Sequence, residues 1–84
     1  MPADLSRAVA HLEQGDWQAA HGIVQDEETT LACWAHGIVH LMEGDDGNAG
    51  YWFRRAGRSL DLERLAAARQ DYVDAEVAAL AAAV

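Results

Sequence analysis

The sequence contains no lysine, one cysteine, one proline and no long hydrophobic run. The single cysteine, Cys33, excludes an internal disulfide and a zinc site built from several thiolates. The only proline, Pro2, lies at the N-terminus, where a helix tolerates it. No apolar run reaches the length of a signal-peptide core or a membrane span. We therefore expect a cytoplasmic protein.

Basic residues are scarce and unevenly placed. Six arginines are outnumbered by fourteen acidic residues, and the formal net charge is −8. Residues 1–50 contain one arginine, Arg7, so the excess of acid lies there, whereas residues 51–84 are balanced. Nucleic acids and anionic membranes are bound by neutralising phosphate charge, which this composition opposes. We expect no nucleic-acid partner and no membrane partner.

Chain length and hydrophobic content predict one globular domain with a thin core. The chain has 84 residues, of which 51% are hydrophobic. A chain of this size buries only somewhat more than roughly 60% of its unfolded surface. A protein partner or a homodimer would add buried area, and the alanine-rich stretch 78–84 offers a surface that another helix can approach closely.

Cap residues and apolar periodicity predict five helices and no strand. The predicted helices cover residues 2–14, 17–25, 31–43, 47–56 and 59–84. Glycines stand at the ends of the first, third and fourth helices, and Ser59 is placed to cap the last. No glycine or proline interrupts that last helix, whose apolar stripe has the spacing of a buried seam. The stripe consists of Val73, Val77, Leu80 and Val84.

The first part of the chain repeats after 29 residues, since Gly15–Asp16 recurs as Gly44–Asp45. Each unit is a helix, a Gly-Asp turn and a second helix. Two such hairpins, residues 2–26 and 30–57, followed by a closing helix over 59–84, are the pattern of a short solenoid. The predicted fold is therefore all-α, and the closing helix should cover the apolar arc of the third helix.

The second unit resembles a tetratricopeptide-type repeat. After the Gly44–Asp45 turn come the small Ala49, the aromatic Phe53 and then Ala56, as in that family. The period is shorter than the family's usual length of about 34 residues, and Cys33 occupies its signature tryptophan position.

A closer resemblance covers residues 17–58. The string A-H…W-x-H-x(3)-H-x-x-E-G-D-x-x-N-A-x-Y-W-F-R-R-A-G is similar to that of a family of small helical proteins without an assigned activity. The resemblance implies a shared fold and a shared polar site, and it brings no activity with it.

The third predicted helix carries a set of residues that can hold a divalent metal. His36 and His40 are four apart and Glu43 follows three later, so the three share the side opposite the apolar arc. Two imidazoles and a carboxylate form a known ligand set, and His21 on the second helix is a further candidate. The alternative is that these imidazoles are solvated or hydrogen-bonded on a polar face, because an H-x(3)-H spacing is a weak motif. No cofactor is required by the sequence.

The fourth predicted helix contributes a second set of polar residues. Asn48, Tyr51 and Arg55 share one face by their spacings of three and four, and that face can meet the third helix within the hairpin. If the Gly-Asp turn sets the register of the repeat, the histidines lie in a helix–helix seam. If Trp34 sets the register, they face a groove. The sequence does not decide between these two registers. The predicted cluster consists of His21, His36, His40, Glu43, Asn48, Tyr51 and Arg55.

Two further groups of residues have less specific patterns. Arg54 and Arg58 are four apart beside an aromatic residue, so they can grip a carboxylate or phosphate, or instead pair with the acidic connector 26–28. Cys33 is expected to be an inert small hydrophobe. The tryptophans are expected in the core; they are Trp17, Trp34 and Trp52.

Two functions from different classes fit these observations. The leading prediction is a helical-repeat protein-interaction module without a catalytic role, which would use the groove between the first helices of its two units. The alternative is a ligand- or metal-binding protein, including a small hydrolase, centred on the histidine and glutamate cluster.

Overall fold

The computed structural model describes residues 4–84, and within them the chain forms six α-helices and no strand. The helices are α1 Leu5–Glu13, α2 Trp17–Val24, α3 Thr30–Glu43, α4 Asp46–Arg55, α5 Leu62–Ala67 and α6 Arg69–Ala83. The all-α class is confirmed. The count of five helices is wrong, and with it the arrangement of two hairpins plus one closing helix. The predicted start of the first helix at Pro2 lies outside the described residues.

Side-chain caps explain where most of the helices begin. Five N-cap residues each accept a hydrogen bond from the backbone N–H three residues later, which satisfies one of the donors that a helix start leaves unpaired. These caps are Asp4, Asp16, Thr29, Asp45 and Asp61. The cap of α5 is therefore Asp61, two residues beyond the Ser59 expected from the sequence.

The predicted closing helix is divided at Ala68, whose φ of −155° and ψ of 75° are not helical. Leu65 and Val73, one on each side of the division, are both buried, with 2% and 4% exposed. Just after the division, Arg69 donates hydrogen bonds to the Asp46 carboxylate and the Leu41 carbonyl oxygen. The turn at Ala68 lies between these two sets of contacts.

Helix α6 packs on α1 and α3, as expected for the closing segment. Three residues of the predicted stripe, Val73, Val77 and Leu80, are buried, whereas Val84 is exposed. Helix α6 covers the groove between α1 and α3. Every residue from 32 to 41 in α3 is buried, so α3 is the central helix. Within residues 4–84, no helix combines the length and the apolar character that a membrane span needs.

A close approach between α3 and α4 sets the geometry beside the core. A Cβ atom added at Gly37 would lie 2.3 Å from Cδ1 of Phe53, a fully buried side chain. Only glycine leaves room for the Phe53 ring at this point. The two helices therefore lie close enough for side chains flanking the contact, His36 on α3 and Trp52 on α4, to meet directly.

Candidate histidine cluster

Three of the four histidines lie together between α2, α3 and α4. His36 and His40 on α3 are 4% and 7% exposed, and His21 on α2 is half-buried. The ring centroids of His21 and His36 are 4.9 Å apart, those of His36 and His40 are 4.9 Å apart, and those of His21 and His40 are 5.9 Å apart. Of the two registers that the sequence left open, the structure has the one with the histidines in a helix–helix seam.

Aromatic contacts on both sides fix the His36 ring. Trp52 stacks on it with ring centroids 3.8 Å apart and an interplanar angle of 10°. His40, one helical turn along α3, is stacked less closely, at 25°. His21 approaches edge-on, at 82°. The three imidazoles therefore have defined relative orientations.

The His36 side chain is kept neutral by its surroundings. Burial lowers the pKa of His36 to about 4, and the neighbouring His40 and His21 contribute to this lowering. The Arg55 guanidinium adds a smaller effect in the same direction. At neutral pH the imidazole thus has a free lone pair. Its Nδ1 atom is buried and has no hydrogen-bond partner among the described residues, which is unusual for a buried polar atom.

His40 has its own carboxylate partner. Nδ1 of His40 lies 2.5 Å from Oε1 of Glu43, three residues later on the same helix. That contact leaves Nε2 as the nitrogen available to a ligand, and a carboxylate on the other ring nitrogen is the usual support of a metal-bound histidine. Glu43 therefore lies behind His40, where it orients the ring.

The ligand atoms of the three histidines are spaced so that one ion can reach all of them. Those of His21, His36 and His40 lie within 4.8 Å of one another. In a tetrahedral zinc site with Zn–N distances of 2.0–2.1 Å, ligand nitrogens are about 3.3 Å apart. The ligand nitrogens would have to close by up to about 1.5 Å to reach this spacing. The sequence predicted a ligand set of His36, His40 and the Glu43 carboxylate. In the structure the third residue of the set is His21.

The remaining members of the predicted cluster lie on α4 at different distances from the histidines. Arg55 lies over Trp52, with its Cζ 4.9 Å from the ring centroid, and Tyr51 meets Trp52 edge-on at 5.2 Å. Both therefore border the site through Trp52. Asn48 is exposed and hydrogen-bonded to Asp45 in the first turn of α4.

Trp52 was expected in the core and is a member of the site. The spacing that selected Asn48, Tyr51 and Arg55 also includes position 52, four residues after Asn48 and three before Arg55. That spacing was the signal that could have found it. Cys33 and Trp34 are buried as expected, and Trp17 is half-buried.

The two arginines predicted to grip an anion do not share a helix face. Helix α4 ends at Arg55, and Arg58 lies beyond it, with its Cζ 3.7 Å from the Trp34 ring centroid and its Nη2 3.4 Å from Oε2 of Glu76. Arg54 is exposed on α4. Arg55, in contrast, reaches the acidic connector, with Nη2 3.6 Å from Oε1 of Glu28.

The arrangement as a whole offers up to three nitrogen ligands in a half-buried seam, supported by a carboxylate on one side and an aromatic ring on the other. Such a site can hold a metal or accept a hydrogen-bonding ligand. No family model, no curated protein and no solved structure matches the chain.

Proposed function

We propose that the protein binds a divalent transition metal through His21, His36 and His40. The observation that carries the proposal is the state of His36, which is 4% exposed, neutral at neutral pH and without a hydrogen-bond partner for Nδ1 among the described residues. Two more imidazoles lie within reach of it. Imidazole nitrogen suits zinc, copper, nickel and iron.

The donor set leaves room for chemistry. Three imidazoles would fill three positions of a tetrahedral site and leave the fourth to water or a substrate, as in catalytic metal sites. The carboxylate of Glu43 on Nδ1 of His40 would raise the basicity of that ligand. A small metal-dependent hydrolase is consistent with this arrangement, because a metal-bound water ionises near neutral pH.

A protein-interaction module receives less support. Helix α6 covers the groove between α1 and α3 that a partner was expected to use. Among residues 4–84, the exposed large apolar side chains are Tyr51 in α4, Leu62 in α5 and Val84 just after α6, so they do not share one helix face. A protein partner or a homodimer would have to use another surface.

A tetratricopeptide-like relationship is part of the proposal and is supported by the matching turns. Gly15 and Gly44 have φ values of 75° and 84°, and each precedes an aspartate that caps the next helix. The same turn thus occurs twice at the repeat distance.

Zinc titration of the chelator-treated full chain tests metal binding. We expect one zinc per chain by calorimetry, and a higher melting temperature with zinc present, because a ligand that binds only the folded state stabilises it. Replacing His21, His36 or His40 singly with glutamine should weaken zinc binding by at least about tenfold. His11→Gln is the matched control, because His11 lies on α1, 3.6 Å from Asp16, outside the cluster.

Two results would contradict the proposal. One is zinc binding that is equally strong in His36→Gln and His11→Gln. The other is an absence of zinc, copper and nickel binding in the unmodified chain, together with a large loss of thermal stability in His36→Gln. That second pattern would identify the three histidines as a structural network.

A further inference from the structure

Arg55 is a positively charged residue that borders the histidine cluster through Trp52. Its Cζ lies 4.9 Å from the centre of the Trp52 ring, and that ring is stacked on His36 at 3.8 Å. The guanidinium is close enough to His36 to act on its pKa, after burial and the two neighbouring imidazoles. The Trp52 ring is therefore shared by Arg55 and by an imidazole that would hold the metal.

Arg55 contacts Tyr51, Trp52 and Glu28, and its pairing with Glu28 is weak. Its Nη2 lies 3.6 Å from Oε1 of Glu28, whose side chain is 82% exposed, so this ion pair is weak and easily exchanged. Stacking on an aromatic face leaves the N–H donors of a guanidinium free to bind in its plane. Arg58, by contrast, is engaged by Trp34 and Glu76.

We propose that the metal held by His21, His36 and His40 takes a small oxyanion in its open position and that Arg55 binds a second oxygen of the same anion. This inference rests on the proposed metal site. Carboxylates and phosphates are the class that fits, because each offers one oxygen to a metal and another to a guanidinium. In a chain of net charge −8, a metal on the histidines and an arginine over the ring that stacks on His36 would form a local positive centre that attracts such ligands.

Cobalt spectroscopy on the full chain separates the two proposals. Chelator-treated protein is first loaded with Co²⁺ to saturation, and the visible absorption bands report occupation of the histidine site. Inorganic phosphate and acetate are then titrated separately into the loaded protein. We expect at least one of them to change the bands in a saturable way, and the comparison identifies the preferred oxyanion.

Variants assign the effect to Arg55. At saturating Co²⁺, Arg55→Gln should raise the apparent dissociation constant of the anion about tenfold or more, and Arg55→Lys should fall between, because lysine keeps the charge and loses the bidentate fork. Arg54→Gln, a change at the adjacent exposed position, should leave anion binding as it is. Failure to load Co²⁺ overturns the metal site and this inference with it. Normal loading with no anion response, or with an equal response in Arg55→Gln, overturns only the oxyanion inference.

Discussion

His36 and Trp52 lie face to face, with ring centroids 3.8 Å apart and planes within 10° of each other. The two residues belong to different helices, and the contact joins the imidazole that carries the site to an indole that is half-buried. The stack therefore links the stability of the α3–α4 pair to the orientation of a metal-binding side chain.

Replacement of Trp52 with leucine should affect stability and binding together. The variant keeps an apolar side chain and loses the aromatic pair, which is worth about 0.5–1.5 kcal/mol. We expect the free energy of unfolding in urea to fall by at least about 1 kcal/mol and zinc binding to weaken. Tyr51→Leu is the control, because Tyr51 is 46% exposed. Equal effects of the two changes would show that the stack does not position His36.

Stability should depend on pH through His36. Its pKa is about 4 in the folded protein and has its ordinary value of 6.5 in the unfolded chain, so between these values only the unfolded state takes up the proton. The contribution of His36 to the free energy of unfolding is therefore full above pH 6.5. It is lost as the pH falls toward 4, by up to about 3 kcal/mol in total. The groups around the ring are His21, His40 and Arg55.

Metal-free protein is the right material for this measurement, and His36→Gln is the comparison. Urea unfolding at intervals between pH 7 and pH 4 should show a smaller decline for the variant than for the unmodified chain. Parallel curves for the two proteins would mean that His36 takes up its proton at an ordinary pH.

Gly37 and Gly22 make a matched pair of helical glycines with opposite expected effects. Gly37→Ala puts a methyl group 2.3 Å from Cδ1 of Phe53, and overpacking of this kind costs about 1–3 kcal/mol. Gly22→Ala meets no atom within 4 Å and should stabilise the protein by about 0.5–1 kcal/mol, because alanine favours helix. Melting temperatures that shift in the same direction would argue against the close approach of α3 and α4.

Gly37→Ala should also weaken zinc binding, because it pushes apart the helices that carry His36 and Trp52. Gly22 lies next to His21 in α2, so Gly22→Ala shows whether an alanine beside a ligand has an effect of its own. Calorimetric titration of both variants with zinc makes the comparison.

Arg69 should stabilise the junction between α5 and α6. Its guanidinium holds both oxygens of Asp46 and donates to the Leu41 carbonyl, and it lowers the pKa of Asp46 chiefly through the hydrogen bonds. Arg69→Gln should cost about 1 kcal/mol, since the pair is largely exposed. The lowered pKa makes this contribution present at neutral pH and lost as the pH falls below 3.8, the ordinary pKa of Asp46.

A double-mutant cycle with Asp46→Asn measures the Arg69–Asp46 coupling directly. Arg54→Gln, at an exposed position of α4, should change the free energy of unfolding by less than about 0.5 kcal/mol. Additive effects of the Arg69 and Asp46 changes would show that the ion pair contributes nothing.

The sequence predicted the first residues of a helix well where a side chain caps the helix N-terminus. The aspartates after Gly15 and Gly44 begin α2 and α4 as expected, because a cap acts within three residues of its position. The division at Ala68 has no such signal. The contacts of Arg69 with Asp46 and the Leu41 carbonyl, both far away along the chain, lie at this point, and alanine is a strong helix former that gives no warning of the division.

The part of the site that depends on local spacing could likewise be predicted from the sequence. The spacing of His36 and His40 placed both on one side of a helix, and helix stacking brought in His21. Whether that side is buried depended on how α2 and α4 pack around α3, which no local pattern states. The stacking of Trp52 depends on the gap left by Gly37, a property of two helices together.

Different helices pack on the two sides of α3. His21, Trp52 and Arg55 belong to α2 and α4, whereas α6 packs on α3 from the side that α1 also contacts. Distant sites with no shared contacts have nearly additive effects on stability. Sequence drift in α5 and α6 away from Arg69 can therefore raise or lower the thermal tolerance of the protein while the histidine chemistry is inherited unchanged.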